Sequence, residues 1–328
     1  MRSTGIPMLN HRPRDDTHAN AMGPGISGLI PAPRYSTRAG RYSPAVLPRI
    51  LTDAAHRFGD RPALQSSSHQ LLTYSELDRI SDEVAVGLSR RGLSEGSVLL
   101  LSLPSGFAYL VAYLAGAKLG IITAGANPRL RATERTALTE TVAPDLVLAT
   151  RDLADGIPDA FDVDLVLPPG SNDRLLADYR VSDERPTLLP EDPDRAVCIC
   201  FTSGSTGDPK AALFTNRQLN SIAEMDRGGD WGDGGHLIVS TALAHVGAMT
   251  KLAWQLTAGT TLHLVDRWDA GEVLALVDRY QVSAVTGVAA QVALMLNDPT
   301  FDDYDFTHVE AVVVGGGPSP PDLVAEAR

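Results

Sequence analysis

The chain has 328 residues, 44% of them hydrophobic and 21% charged, with 28 basic against 40 acidic side chains and a formal net charge of −12. That composition excludes a disordered or collagen-like chain and gives enough apolar material for one large domain or two of about 150 residues. The acidic balance leaves no basic surface for a general grip on nucleic acid or anionic membrane, so a phosphate-bearing ligand has to be held by a local site.

Residues 1–43 are rich in arginine, proline and glycine and lack the apolar core of a secretory signal, which predicts a poorly ordered leader. From Val46 onward strand and helix patterns alternate. Thr73 and Glu76 stand at capping-box spacing, and Leu77, Ile80, Val84 and Leu88 follow as one helical stripe. Residues 96–117 carry no charge, but Pro104, Ser105 and Gly106 divide them into a strand over 97–103 and a helix over 107–117, each too short for the roughly 20 residues of a membrane span. Ser105 is placed to cap that helix. Strands over 121–124 and 146–149 flank a helix over 132–142. The proline- and acid-rich stretch 183–195 (DERPTLLPEDPDR) reads as a connector.

The rhythm then resumes. A strand over 196–201 enters a loop over 202–209, and Asn216 can cap a helix through Met225. Strands follow over 237–241, 261–265, 282–286 and 309–314, with helices over 246–256, 270–280 and 289–296 between them. Pro320 and Pro321 open a last helix that runs only to Arg328, so the sequence is expected to stop within an element. Such alternation predicts an α/β fold with parallel sheets covered by helices, divided at the connector into two sub-lobes over 44–182 and 196–328. Cys198 and Cys200, separated by one residue, are read as facing opposite sides of their strand. They form no disulfide framework or zinc quartet, and they imply a reducing, cytoplasmic setting.

The densest chemical signal is FTSGSTGDPK over 201–210. Glycines let backbone N–H groups converge on an anion, hydroxyls add donors, and the lysine offsets phosphate charge. Lysine is otherwise confined to Lys118 and Lys251, which sets Lys210 apart. The spacing is not that of a Walker A loop, and Ala211 stands where a magnesium-binding hydroxyl would follow. His245, in Ala244-His245-Val246-Gly247, lies where a strand gives way to a helix N-terminus, an end suited to a carboxylate; a satisfied core histidine is the alternative reading. Asp298, Asp302, Asp303 and Asp305 lack the glycine and glutamate of a calcium loop and read as a solvated turn; no metal-ligating residue is expected.

TSGSTGDPK closely resembles the phosphate loop of the adenylate-forming superfamily, which comprises acyl- and aryl-CoA synthetases, peptide-synthetase adenylation domains and luciferases. Four further stretches match that family in order: LTYSELDRISDEVAVGL (72–88), VLLLSLPSGFAYLVAYLAGAKLGIITAGANPRL (98–130), STALAHVGAM (240–249) and VVVGGGPSPP (312–321). The resemblance implies the large N-terminal domain of the acyl-CoA synthetase fold. It implies that ATP activates a carboxylic acid as an acyl-adenylate, which the thiol of coenzyme A then captures. It places Thr202, Ser203, Gly204, Ser205, Thr206, Gly207 and Lys210 on the phosphates of ATP or AMP. Gly315, Gly316, Gly317 and Pro318 fall beside adenine, and His245, Gly247 and Gly287 on the substrate side, with Lys210 and His245 as the catalytic pair.

The sequence departs from the family at Ala211, Asn216 and Ala244, the last expected to widen or alter that part of the pocket. The family's YGxTE motif with its Mg2+-binding glutamate, its ribose-binding aspartate and its small C-terminal domain with a catalytic lysine do not occur within the 328 residues. The chain is therefore expected to be incomplete as a synthetase. Three readings stand beside the synthetase: an enzyme for the thioester half-reaction alone, a domain that loads a carrier protein, and a non-catalytic nucleotide- or acyl-binding module.

Overall fold

The computed structural model describes residues 46–328 except 167–170, 204–208, 228–229, 240, 266 and 328. The expected leader over 1–43 lies outside the described residues. In chain order the elements are α1 (Leu47–Phe58), β1 (Pro62–Ser66), β2 (Leu71–Thr73), α2 (Tyr74–Arg90), β3 (Val98–Ser102), α3 (Phe107–Leu119), β4 (Ile122–Gly125), α4 (Ala132–Val142), β5 (Leu146–Ala149) and β6 (Val163–Leu165). Then come β7 (Ala196–Ser203), β8 (Pro209–Thr215), α5 (Asn216–Arg227), β9 (His236–Val239), α6 (Val246–Met249), α7 (Leu252–Ala258) and β10 (Thr261–Leu264). The last are α8 (Ala270–Arg279), β11 (Ala284–Val288), α9 (Ala289–Leu296), β12 (Ala311–Gly315) and α10 (Pro321–Glu326).

These strands build three sheets. One runs β6-β5-β3-β4-β7-β8, parallel throughout except that β8 returns antiparallel beside β7. A second runs β2-β1-β10-β9 with only β2 antiparallel, and β11 and β12 form a parallel pair. The α/β class and the parallel pairing agree with the sequence reading. The division into two consecutive sub-lobes does not. β1 and β2 share a sheet with β9 and β10, and β7 extends the sheet begun by β3 to β6. The connector over 183–195 therefore carries the chain back to the free edge of β4 rather than across a boundary. Parallel strands need long crossovers, and such crossovers let distant segments pair.

Burial explains the layering. α3 is apolar on every side and nearly all of it is buried, as a helix between two layers must be. Its side chains share one core with α1, α2 and α7, with Leu99 and Leu101 of β3, and with Leu64, Leu262 and Leu264 of the second sheet. The opposite face of the six-stranded sheet, through Leu100, Ala124 and Val147, packs on Leu138 and Val142 of α4. Alternation does the same in β9, where Leu237 and Val239 turn to the central core while Ile238 turns to α8 and α9. The helix expected over 246–256 is broken into α6 and α7.

Two side chains expected to cap their own helices act at a distance. The capping box of Thr73 and Glu76 is present on α2. Asn216, by contrast, is buried and its Oδ1 accepts the Leu47 amide at 3.1 Å, so it serves the uncapped start of α1. Ser105 does not cap α3 either; Gly106 is the N-cap and makes no side-chain cap bond. The cysteine reading also needs correction. Residues i and i+2 of a strand share a face. Cys198 and Cys200 are both buried, Cys198 against Tyr113 and Cys200 with its Sγ 3.9 Å from Met249 Sδ, and both thiols are free.

Candidate nucleotide and acid site

Because β3, β4 and β7 are parallel neighbours, their carboxyl ends open on one side of the sheet, the side on which open α/β sheets bind ligands. The described ends of the loop motif lie on that edge, in β7 and β8. β7 continues through Ser203 and β8 starts at Pro209, with Thr202 paired to Lys210 and Ser203 to Pro209. The ends of the loop read over 202–209, Thr202 with Ser203 and Pro209, are strand residues instead; proline is tolerated as the first residue of a strand. Gly204, Ser205, Thr206, Gly207 and Asp208 lie outside the described residues. Lys210 is exposed at the base of the hairpin.

The segment carrying His245 rests on this same edge. The Leu243 amide donates to Ser105 Oγ at 3.0 Å, across to the turn between β3 and α3. Ala244 lies against Gly125, the last residue of β4. A methyl on Gly125 would fall 2.9 Å from the Ala244 Cα and against the Tyr109 hydroxyl, so only glycine permits this approach. Ala244 is buried. Met249, at the other end of α6, accepts hydrogen bonds from Tyr109 (Oη to Sδ, 3.4 Å) and Tyr113 (Oη to the carbonyl, 3.2 Å). Burial pushes both phenols well above their ordinary range, so they remain donors.

His245 itself is exposed and stands at the N-cap of α6. Its Nδ1 accepts the Gly247 amide at 3.1 Å, which leaves the ring proton on Nε2, the nitrogen free to meet a ligand. α6 has a single turn, so the dipole expected to favour a carboxylate is slight. His245 and Gly247 are brought together, and α6 packs on β7, the strand that leads to the loop motif.

The remaining glycines form a second wall. β11 lies beside β9, and in the parallel pair Gly287 is level with Val314 and Val288 with Gly315. Gly287 and Gly315 therefore meet at adjoining carboxyl ends. Gly316 turns with φ +80°, a left-handed conformation that glycine adopts without strain, and Gly317 and Pro318 follow it, exposed. Among the described residues no three His, Cys, Asp or Glu side chains converge as metal ligands, so no residue is assigned to Mg2+. No described helix is long and apolar enough to cross a membrane.

Ser105, Tyr109 and Gly125 escape a sequence search for site residues. All three lie in an apolar stretch that reads as core, and only the fold brings them under His245.

A family model described as AMP-binding enzyme matches residues 51–328. Among curated proteins, the 4-coumarate-CoA ligase 1 of Narcissus pseudonarcissus is 25% identical over 289 residues, covering 83% of this chain and 52% of the relative. The long-chain-fatty-acid–CoA ligase FadD13 of Mycobacterium tuberculosis is 23% identical over 277 residues, covering 80% and 53%. The chain spans about half the length of the curated relatives it matches. Among solved structures, the inhibitor-bound N-terminal domain of FACL13 from M. tuberculosis superposes with a TM-score of 0.76 at 22% identity, covering 86% of this chain and 72% of that one. The o-succinylbenzoate CoA synthetase MenE of Bacillus subtilis, bound to a product analogue, gives 0.71 at 22% identity, covering 85% and 56%. At these identities the structures speak to the fold.

Proposed function

The chain belongs to the AMP-binding enzyme family, and we propose that it forms the nucleotide- and acid-binding part of an acyl- or aryl-CoA ligase. In the proposed reaction a carboxylate oxygen of the acid attacks the α-phosphorus of ATP, the bond to the β-phosphate breaks and pyrophosphate leaves. The thiol of coenzyme A then attacks the acyl carbonyl, giving up its proton, and AMP departs. Such displacements depend on positioning and charge neutralisation, so no protein nucleophile is required.

The hairpin register is the observation that carries this reading. Thr202 sits opposite Lys210 and Ser203 opposite Pro209, so the described ends of the motif lie at the carboxyl edge of a parallel sheet with the Lys210 ammonium exposed. In the proposal Thr202, Ser203 and the loop from Gly204 to Gly207 supply donors to the phosphates, and Lys210 neutralises them. His245 offers Nε2–H to the carboxylate, with Gly247 and Gly287 beside the acyl group. The turn from Gly315 through Pro318 receives adenine. Among the described residues none is assigned to Mg2+.

Relatives named for 4-coumarate and for long-chain fatty acids support, as the proposed substrate, a carboxylic acid with an apolar body. Coenzyme A is the proposed acceptor, as in the names of those relatives. The test is exchange of labelled pyrophosphate into ATP in the presence of such acids, run beside thioester formation from a synthetic acyl-adenylate and coenzyme A. Acid-dependent exchange supports the full reaction. Thioester formation without exchange assigns the chain to the second half-reaction. Absence of both, with no binding of AMP, contradicts the ligase reading.

A further inference from the structure

We propose that Ser105 is a positioning residue for His245. This rests on the ligase reading, in which His245 meets the acid. Serine two positions before a helix would ordinarily turn its hydroxyl to the first free amides of that helix. Here α3 begins on Gly106 without a side-chain cap, and the Ser105 hydroxyl accepts the Leu243 amide at 3.0 Å instead, 138 residues along the chain.

Leu243 lies two residues before His245, and the turn between them closes with the His245 amide donating to the Ala242 carbonyl at 2.9 Å. The Ser105 bond and the tight contact of Ala244 with Gly125 therefore fix the turn from two sides. Beyond it, the His245 carbonyl accepts from Ala248 and Met249, and Nδ1 is held by Gly247. Ring and backbone of His245 are both tied to α6, so the direction of Nε2 is set by how the turn is seated. The seat is Ser105. Among the described residues the Leu243 N–H is shown with this hydroxyl as its partner, and removing it frees the turn to shift.

The experiment compares two probes by calorimetry, AMP and a non-hydrolysable acyl-sulfamoyl adenosine, on the wild-type chain and on S105A, S105T, H245A and the S105A/H245A pair. S105A is expected to leave AMP affinity unchanged and to weaken the acyl-sulfamoyl probe about fivefold, the loss that one net hydrogen bond carries. S105T, which keeps the acceptor, is expected to restore it. The double variant is expected to bind as H245A does, because Ser105 acts through the histidine. Equal loss of both probes in S105A, failure of S105T to rescue, or independent losses in the double variant would overturn the proposal. Should S105A fail to fold, the S105T and S105C chains carry the same comparison. Wild-type chain that binds neither probe overturns the ligase reading and this inference with it. Wild type that binds both, with no separation in S105A, overturns this inference alone.

Discussion

The packing around α2 and α3 and the packing around β12 follow opposite rules. Between the two large sheets everything is enclosed: Tyr109, Tyr113 and Leu101 are almost wholly buried, and even Lys118 is enclosed, its ammonium 2.7 Å from Asp78, 2.6 Å from Asp82 and donating to the Asp78 carbonyl. At the other end, β12 is paired on one side with β11, and Val312 and Val313 are 38% and 53% exposed, with Leu294 of α9 at 57%. A cavity of about 660 Å³ runs beneath, lined by Val285, Met295, Phe306, Leu323 and other apolar residues. The first region is held by complete burial and paired charge. The second, which carries Gly315 to Pro318, is an open sheet edge. Substitutions should accordingly weigh heavily in one and lightly in the other.

The largest effect is expected at Lys118. K118A takes the buried ammonium from two carboxylates, leaving Asp78 the Thr52 hydroxyl and Asp82 the more distant Arg185, where burial already raises the Asp82 carboxyl against the opposing pull of Lys118, and should destabilise the fold by about 3–5 kcal/mol in urea unfolding. A loss below about 1 kcal/mol would remove the distinction between the regions. Next comes L101A, which empties a fully buried site and should cost about 2–5 kcal/mol.

A smaller and pH-dependent effect is expected where the two regions join. His236 Nδ1 and His263 Nε2 lie 2.9 Å apart, with the Tyr280 ring against both. Burial lowers both histidines, and the neighbouring His236 adds to it for His263, which falls from 6.5 to about 4. The folded state therefore keeps the pair neutral. Its contribution is complete above pH 6.5, where the unfolded chain is neutral too, and is lost as pH falls from 6.5 towards 4, where the unfolded chain binds the extra protons. Urea midpoints should decline across that window, and H263L should flatten the decline. An unchanged slope in H263L would assign it to other groups. The smallest effect is expected for V313T on the open edge, within about 0.5 kcal/mol of wild type. A change of several times that size would mean that β12 is not the lightly held strand its exposure suggests.

What the sequence discloses is what neighbours along the chain decide. The helices Ala132–Val142 and Ala289–Leu296 and the strand Leu146–Ala149 have the bounds expected from the sequence, and the Thr73–Glu76 box forms as spaced. The stripe Leu47, Ile50, Leu51, Ala54 and Phe58 of α1 was equally open to inspection. Less was legible where a side chain can serve either its own helix or a distant amide. Asn216 and Ser105 have the chemistry of local caps, and only tertiary approach turns them to Leu47 and Leu243. The pairing of β10 with β1 has no local sign at all. For the site, the order of the motifs was readable, as was the gathering of glycines at strand ends. The seat of His245 on Ser105 and Gly125 was not, because both lie in a stretch whose composition speaks only of burial.

The central claim is that the β7–β8 hairpin holds the phosphates of an adenine nucleotide, and calorimetric titration of the wild-type and K210A chains with ATP and with adenosine tests it most directly. The account predicts that K210A weakens ATP about tenfold or more, the loss of a charge-assisted contact, and leaves adenosine unchanged. ATP bound equally well by both chains would contradict it.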